Sequence, residues 1–273
     1  MLLTFNKSTI GYSHIERGKV CQDYSSLYKD NERTIITCCD GHGGDLYIRS
    51  NIGSKLASLA TINVFNEIKR SQLFKLEDAN FEKSIKLSIL CEWNRLVENW
   101  NSLHHISKSE IINLNENKAN ILKKTPIKAY GTTLTGAMLL NNKLVVVGIG
   151  DSEILGIKNG KIIKPFDNED EPAGNITYSL CQEDAFNYLK VKVIDFSKLD
   201  GIILCTDGLS GAYQTYDNFN NSFIKPMVIK LLEEKNYVFV DNFIDNLAKK
   251  LGTGDDVSLA FIIKDNINKK YYV

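Results

Sequence analysis

Proline is scarce in this chain, with four in 273 residues (Pro126, Pro165, Pro172 and Pro226), so helices and strands can run long without a forced break. Long apolar runs are missing as well. The longest, such as Leu144 to Val147 and Leu259 to Ile263, fall far short of the roughly 20 residues a membrane-spanning helix needs. The opening Met1-Leu2-Leu3-Thr4-Phe5 has neither a basic start nor an extended apolar stretch, so no leader or membrane anchor is expected and the chain reads as cytoplasmic. Excess charge of either sign is absent, because 33 Lys and Arg balance 33 Asp and Glu. Without a net field, neither nucleic acid nor an anionic membrane is expected as a partner. The six cysteines form no dense disulfide framework and no CxxC zinc pattern, and most are expected to be reduced core residues. No repeat of fixed period, Gly-x-Gly-x-x-Gly or Walker pattern occurs, and Gly252-Thr253-Gly254 is followed by acids. A nucleotide-cradling loop is therefore disfavoured.

What is present is enough apolar material, 43% of the residues, to fill a substantial core. One domain over residues 1–273 is the economical expectation. Runs rich in β-branched residues mark strands at Arg33 to Cys39, Leu134 to Leu140, Lys143 to Ile149, Glu153 to Lys158, Tyr188 to Asp195, Gly201 to Cys205 and Val257 to Lys264. Asn141-Asn142 and Asn159-Gly160 supply tight turns between neighbouring runs, which makes those pairs antiparallel. Helical spacing links Ile52, Leu56, Leu59, Val64 and Ile68, and again Ile85, Ile89, Trp93, Leu96 and Trp100; both tryptophans are expected in the core. A third amphipathic stretch runs from Val240 to Leu251, His104-His105 reads as the end of the second helix, and the polar Asn113 to Lys124 segment reads as a loop. Hairpin strands with helices gathered in separate blocks predict an α+β fold with antiparallel sheets.

The aspartates occupy informative places. Three apolar runs finish at Asp40, Asp151 and Asp207, and a fourth begins just after Asp255-Asp256. If the fourth strand is antiparallel to the others, its start lies at the same edge as their ends. Four carboxylates could then converge, which would raise their pKa values and destabilise the fold unless cations neutralise them. An oxygen-only donor set favours Mg²⁺ or Mn²⁺. A single Asp-Gly would read as a hairpin turn, but turn chemistry does not require an acid at four strand ends. Neither Cys38-Cys39 nor Ser152 sits in a nucleophile signature.

Cys38-Cys39-Asp40-Gly41-His42-Gly43-Gly44, Tyr130-Gly131-Thr132-Thr133, Val147-Gly148-Ile149-Gly150-Asp151-Ser152, Cys205-Thr206-Asp207-Gly208-Leu209 and Gly254-Asp255-Asp256-Val257-Ser258 resemble the ordered motifs of PP2C-type (PPM family) protein Ser/Thr phosphatases. Gly11-Tyr12-Ser13-His14, Cys21-Gln22-Asp23 and Asn175-Ile176-Thr177-Tyr178-Ser179-Leu180 resemble the shorter bacterial branch. The resemblance implies a four-layer αββα sandwich, and hydrolysis of phosphoserine and phosphothreonine in proteins by a metal-activated water. It makes Asp40 the carboxylate bridging two Mg²⁺ or Mn²⁺ ions, with the Gly41 carbonyl on one ion and Asp207 and Asp255 on the other. Asp23 matches an acid that holds water on the ions, and Asp151 with Asp207 matches a looser third site. His42 matches the histidine that protonates the leaving alkoxide. The implied partners are phosphoprotein substrates and, by analogy, a cognate Ser/Thr kinase, with the enzyme a monomer.

Several positions depart from the pattern. Gly18 stands where many members carry a phosphate-gripping arginine, leaving Arg17, Lys19 and His14 as candidate phosphate contacts, although a polar tether of the N-terminal segment is the favoured reading of His14. Glu153 follows Gly-Asp-Ser in place of arginine, Asp256 replaces a common Asn, and Gln22 replaces an acid beside Asp23. None removes an implied direct ligand. A non-catalytic phosphoprotein reader and a phosphatase of small esters are the alternatives. The acidic run Asp167 to Glu171 lies where the family carries a variable flap.

Overall fold

A computed structural model describes residues 1–69, 79–166 and 177–273; the flap run Asp167 to Glu171 lies outside them. Strand pairing is antiparallel throughout. One five-stranded sheet has the order β1 (Leu2–Thr9), β10 (Val257–Lys264), β9 (Gly201–Cys205), β6 (Glu153–Lys158), β7 (Lys161–Ile163). The other runs β2 (Tyr24–Lys29), β3 (Arg33–Cys39), β4 (Leu134–Leu140), β5 (Lys143–Ile149), β8 (Lys190–Asp195). The turns expected between runs are tight: Asn141 and Asn142 have φ of 48° and 62°, and Asn159 and Gly160 have 50° and 70°, the conformation that matches the twist of a hairpin.

Alternation along each strand builds three apolar layers. Ile36 and Cys38 of β3, Leu144 and Val146 of β5, Ile202 and Leu204 of β9, and Ala260 and Ile262 of β10 meet between the sheets. The intervening residues face outward under helices, so the central strands are apolar on both faces and appear in the sequence as unbroken runs. On β3, β4 and β5 they pack beneath α2 (Ser50–Glu67) and α3 (Ala79–Leu103). Over β9 and β10 they pack beneath Lys225–Glu234 and Val238–Asn246. The four-layer αββα sandwich is thus confirmed.

Helix faces differ in detail from the expected stripes. On α3, Ile85, Ile89, Trp93 and Val97 are buried four residues apart, and Trp93 donates to the Gly53 carbonyl at 3.2 Å. On α2, Leu59 is exposed, whereas Gly53, Ser54, Ala57, Ser58, Ala60 and Thr61 are buried. Small residues let α2 lie close to the sheet and to α3, and Ser58 hydrogen-bonds the hydroxyls of Ser26 and Thr37 at 2.7 Å. The Asn113 to Lys124 segment is not a loop: Glu116–Lys124 is helical, capped by Asn115 on the Lys118 N–H, with lysines in the last turn and Leu122 buried. Strands β1 and β2 and the helix Lys225–Glu234 were not expected, and the run from Tyr188 becomes a strand only at Lys190. As expected, α3 ends beside His104, whose N–H donates to the Trp100 carbonyl at 2.9 Å. All six cysteines are free and four are buried.

Trp93 is completely buried, so Trp93→Ala is expected to cost about 3–5 kcal/mol, read as a lower urea midpoint at unchanged slope.

Candidate active site

Strands β3, β5 and β9 deliver Asp40, Asp151 and Asp207 just beyond their last residues, and β10 starts immediately after Asp255 and Asp256. Because β10 is antiparallel to β9, starts and ends share one rim, as the spacing predicts. Asp23 joins them, immediately before β2, and is 6% exposed.

Main-chain and hydroxyl contacts fix this rim. The Asp40 N–H donates to Thr133 Oγ1 at 2.9 Å, and the Asp40 carbonyl accepts from the Thr133 N–H and from Thr132 Oγ1, each at 2.8 Å. Thr132 is tied in turn to Ser179, whose Oγ accepts the Thr132 N–H at 3.0 Å. Thr133 Oγ1 lies 3.0 Å from Ser152 Oγ, next to Asp151. Thr206 Oγ1 donates to Asp23 Oδ2 at 2.7 Å and accepts the Ser258 N–H at 2.9 Å. These hydroxyl residues stood in the sequence motifs with no role assigned to them, and their work of holding acids in place is visible only in three dimensions.

Burial pushes the Asp40 carboxyl well above the usual range, and the charges of Asp23, Asp207, Asp151 and Asp255 push it further. Burial also raises Asp23, opposed by its bond from Thr206 and aided by Asp256. Asp207 rises through burial and then through Asp151 and Asp255. The five predicted carboxylates therefore share one electrostatic basin. Oxygen donors this crowded, with raised pKa values and flanked by the Gly41 backbone, fit hard divalent cations.

A cleft of about 290 Å³ opens over this basin, lined by Asp40, Gly41 and Asp255 together with His14, Arg17 and Lys19. Gly18, the substituted arginine position, has φ of 64° with open space around it; it turns the chain so that its two basic neighbours line the cleft. His42 lies beside Tyr47, ring centroids 4.9 Å apart. Its Nε2 is buried with no hydrogen-bond partner among the described residues, and burial lowers its pKa against the opposing pull of Asp151. Gln22 uses its amide to hold Ser50 Oγ at 2.6 Å and the His42 carbonyl at 3.3 Å. Glu153 is taken up away from the cleft, in contact with Tyr216 Oη and 3.6 Å from Lys164 Nζ.

An acid-lined rim on this sandwich fits a metal-dependent phosphohydrolase. The family model of protein phosphatase 2C matches residues 10–251, and the chain belongs to that family, whose members are Mg²⁺- or Mn²⁺-dependent protein Ser/Thr phosphatases. No curated protein matches it by sequence. Among solved structures it is similar to the S. agalactiae serine/threonine phosphatase, with a TM-score of 0.61, 17% identity, and coverage of 96% of this chain and 99% of that one. It is also similar to Stp1 from Staphylococcus aureus, with a TM-score of 0.54, 15% identity and coverage of 97% and 95%. The catalytic domain of PstP, solved with two manganese ions, superposes with a TM-score of 0.53 at 15% identity, covering 96% and 97%.

The raised pKa of Asp40 has a direct consequence for the metal-free protein. An acid protonated more readily when folded stabilises the fold at low pH, and that stability is lost as pH climbs from the unfolded value of 3.8 towards the raised one. In chelator, thermal stability is expected to fall as pH rises above about 4, and Asp40→Asn to melt higher than wild type near pH 7. Differential scanning calorimetry with EDTA checks both.

Proposed function

We propose that this basin is the catalytic centre, in which Asp40, the Gly41 carbonyl, Asp207 and Asp255 would hold two Mg²⁺ or Mn²⁺ ions, and Asp151 with Asp207 would hold a looser third. The observation that carries the reading is that Asp40 and Asp151 from one sheet, Asp207 and Asp255 from the other, and Asp23 before β2 stand at one rim of the sandwich. Ions held there by these residues would supply charge neutralisation, attraction for phosphoryl oxygens and a lowered pKa for water.

The remaining work falls to side chains. Asp23, fixed by Thr206, accepts hydrogen bonds from water in the basin and orients it. Arg17 and Lys19, at the cleft, receive the phosphate dianion. Lys19 contributes a point charge where an arginine would give a planar fork. His42 supplies the proton that the leaving serine or threonine oxygen requires, and burial makes its protonated ring a stronger acid than a surface histidine. No covalent nucleophile is needed. Buried Cys38 and Cys39 have thiol pKa values pushed far up by burial, which suits core residues rather than nucleophiles.

The substrate class is phosphoserine and phosphothreonine in proteins, generated by a Ser/Thr kinase. The chain acts as one domain, as a monomer, in the cytoplasm; no helix among the described residues is long and apolar enough to cross a membrane.

Asp207→Asn is expected to lower Mn²⁺-dependent phosphate release from a phosphothreonine peptide by more than about 100-fold, since even outer-shell losses cost about 10–100-fold, with the circular dichroism spectrum unchanged. Activity within a few-fold of wild type sinks the assignment, and faster turnover of small esters than of the peptide redirects the substrate class. Arg17→Ala and Lys19→Ala are each expected to raise KM about 10-fold with kcat nearly constant, from the loss of a charge-assisted contact.

A further inference from the structure

Next to the acids stands a buried imidazole with the surroundings of a metal ligand. His14, on α1 (Tyr12–Glu16), is 7% exposed. Its Nδ1 lies 2.9 Å from Asp256 Oδ1 yet has no well-aligned hydrogen-bond partner among the described residues. Its Nε2 lies 3.7 Å from Asp255 Oδ1, outside hydrogen-bond range. Asp256 is itself held rigidly: Oδ1 accepts the Gly11 N–H at 2.8 Å and Oδ2 accepts the Gln22 N–H at 2.6 Å. The position at which the family commonly carries Asn thus needs two acceptor oxygens here, and an amide would turn one N–H donor against another.

The segment carrying His14 is locked to the same rim. Ser13 donates to the Gly254 carbonyl from both its N–H, at 3.0 Å, and its Oγ, at 2.6 Å, and a Cβ on Gly11 would collide with the Asp255 carbonyl. The Asp256 carboxylate 2.9 Å from Nδ1 favours the tautomer with its proton there, which leaves the lone pair on Nε2, the nitrogen 3.7 Å from Asp255 Oδ1. Metal-ligating histidines ordinarily have such an acceptor beside the other ring nitrogen. The 3.7 Å separation is within the reach of one ion, because two bonds of about 2.0–2.2 Å can span donors up to about 4.2 Å apart.

We propose that His14 Nε2 is a ligand to the cation held by Asp255, with Asp256 as its positioning residue, so that one imidazole joins an otherwise all-oxygen centre. The inference rests on Asp255 being a cation ligand. On this reading His14 faces an ion, leaving phosphate to Arg17 and Lys19. An imidazole donor weights the site towards first-row transition ions over Mg²⁺, whose shell is ordinarily oxygen alone.

The test is pulsed EPR on the full chain loaded with Mn²⁺, which detects ¹⁴N coupling from a directly bound imidazole, with Mn²⁺ affinity and phosphothreonine-peptide turnover measured on the same samples. Wild type is expected to show ¹⁴N coupling. His14→Gln, confirmed folded by circular dichroism, is expected to lose it and to bind Mn²⁺ about 10–100-fold more weakly, and Asp256→Asn to weaken Mn²⁺ binding about 10-fold with the coupling retained. A wild-type enzyme that turns over the peptide with Mn²⁺ but shows no ¹⁴N coupling, or a His14→Gln variant that keeps it, overturns the ligand and leaves the phosphatase centre standing. Unchanged Mn²⁺ affinity in Asp256→Asn overturns the positioning role. A wild-type protein that neither binds Mn²⁺ nor releases phosphate overturns both the ligand and the centre.

Discussion

Carboxylates crowded into a shared, partly buried basin repel one another, and every other feature of the rim answers that repulsion. Asp40 and Asp23 are removed from water and surrounded by like charge, an arrangement a protein sustains only where something else is gained. The sandwich makes the crowding unavoidable. Asp40 and Asp151 come from one sheet, Asp207 and Asp255 from the other, and the interlayer core around Ile36, Val146, Leu204 and Ile262 clamps the two sheets face to face. Neither sheet alone could assemble the basin.

The groups that hold these acids are chosen for lack of charge. Thr133 binds the Asp40 backbone, Thr206 binds Asp23, and Ser179 holds Thr132. Of the three, Thr206 is the one that touches a carboxylate, and a lysine or arginine there would neutralise Asp23 permanently, whereas the neutral hydroxyl orients that acid and leaves its charge available. The basic residues that do approach, Arg17 and Lys19, line the cleft rather than touching the buried acids.

Much of this was legible in the chain itself. The strands that carry Asp40, Asp151, Asp207 and Asp255 are apolar on both faces, so they stand out as continuous runs, and their acids stand out at the ends. The strands that went unseen are those with mixed surroundings: β2, Tyr-Ser-Ser-Leu-Tyr-Lys, is rich in hydroxyls because Ser26 bonds across to Thr37 and Ser58, and β1 lies at the edge of its sheet. The helix Glu116–Lys124 was hidden by polarity, since its single buried residue is Leu122 and its stability is helped by Asn115 at one end and lysines at the other. Spacing brought the acids to one rim but left Thr206 and Thr133 without a task, because a hydroxyl's partner lies across the fold rather than along the chain. Asp256 looked like a departure from a pattern and proves to be a double acceptor for Gly11 and Gln22.

The small-residue face of α2 has a reach beyond packing. Ser54 Oγ donates to the Gln22 carbonyl at 2.6 Å, and Ser50 Oγ receives the Gln22 side-chain amide at the same distance, while further along the same helix Ala57 and Ala60 are seated without slack in the core with α3 and the sheet. Added bulk at Ala57 or Ala60 would lever the helix outward and drag the serines with it. Residues remote from the basin, and chemically inert, therefore set how firmly the segment leading into Asp23 is gripped, so drift in catalytic performance can originate in the packing of an alanine.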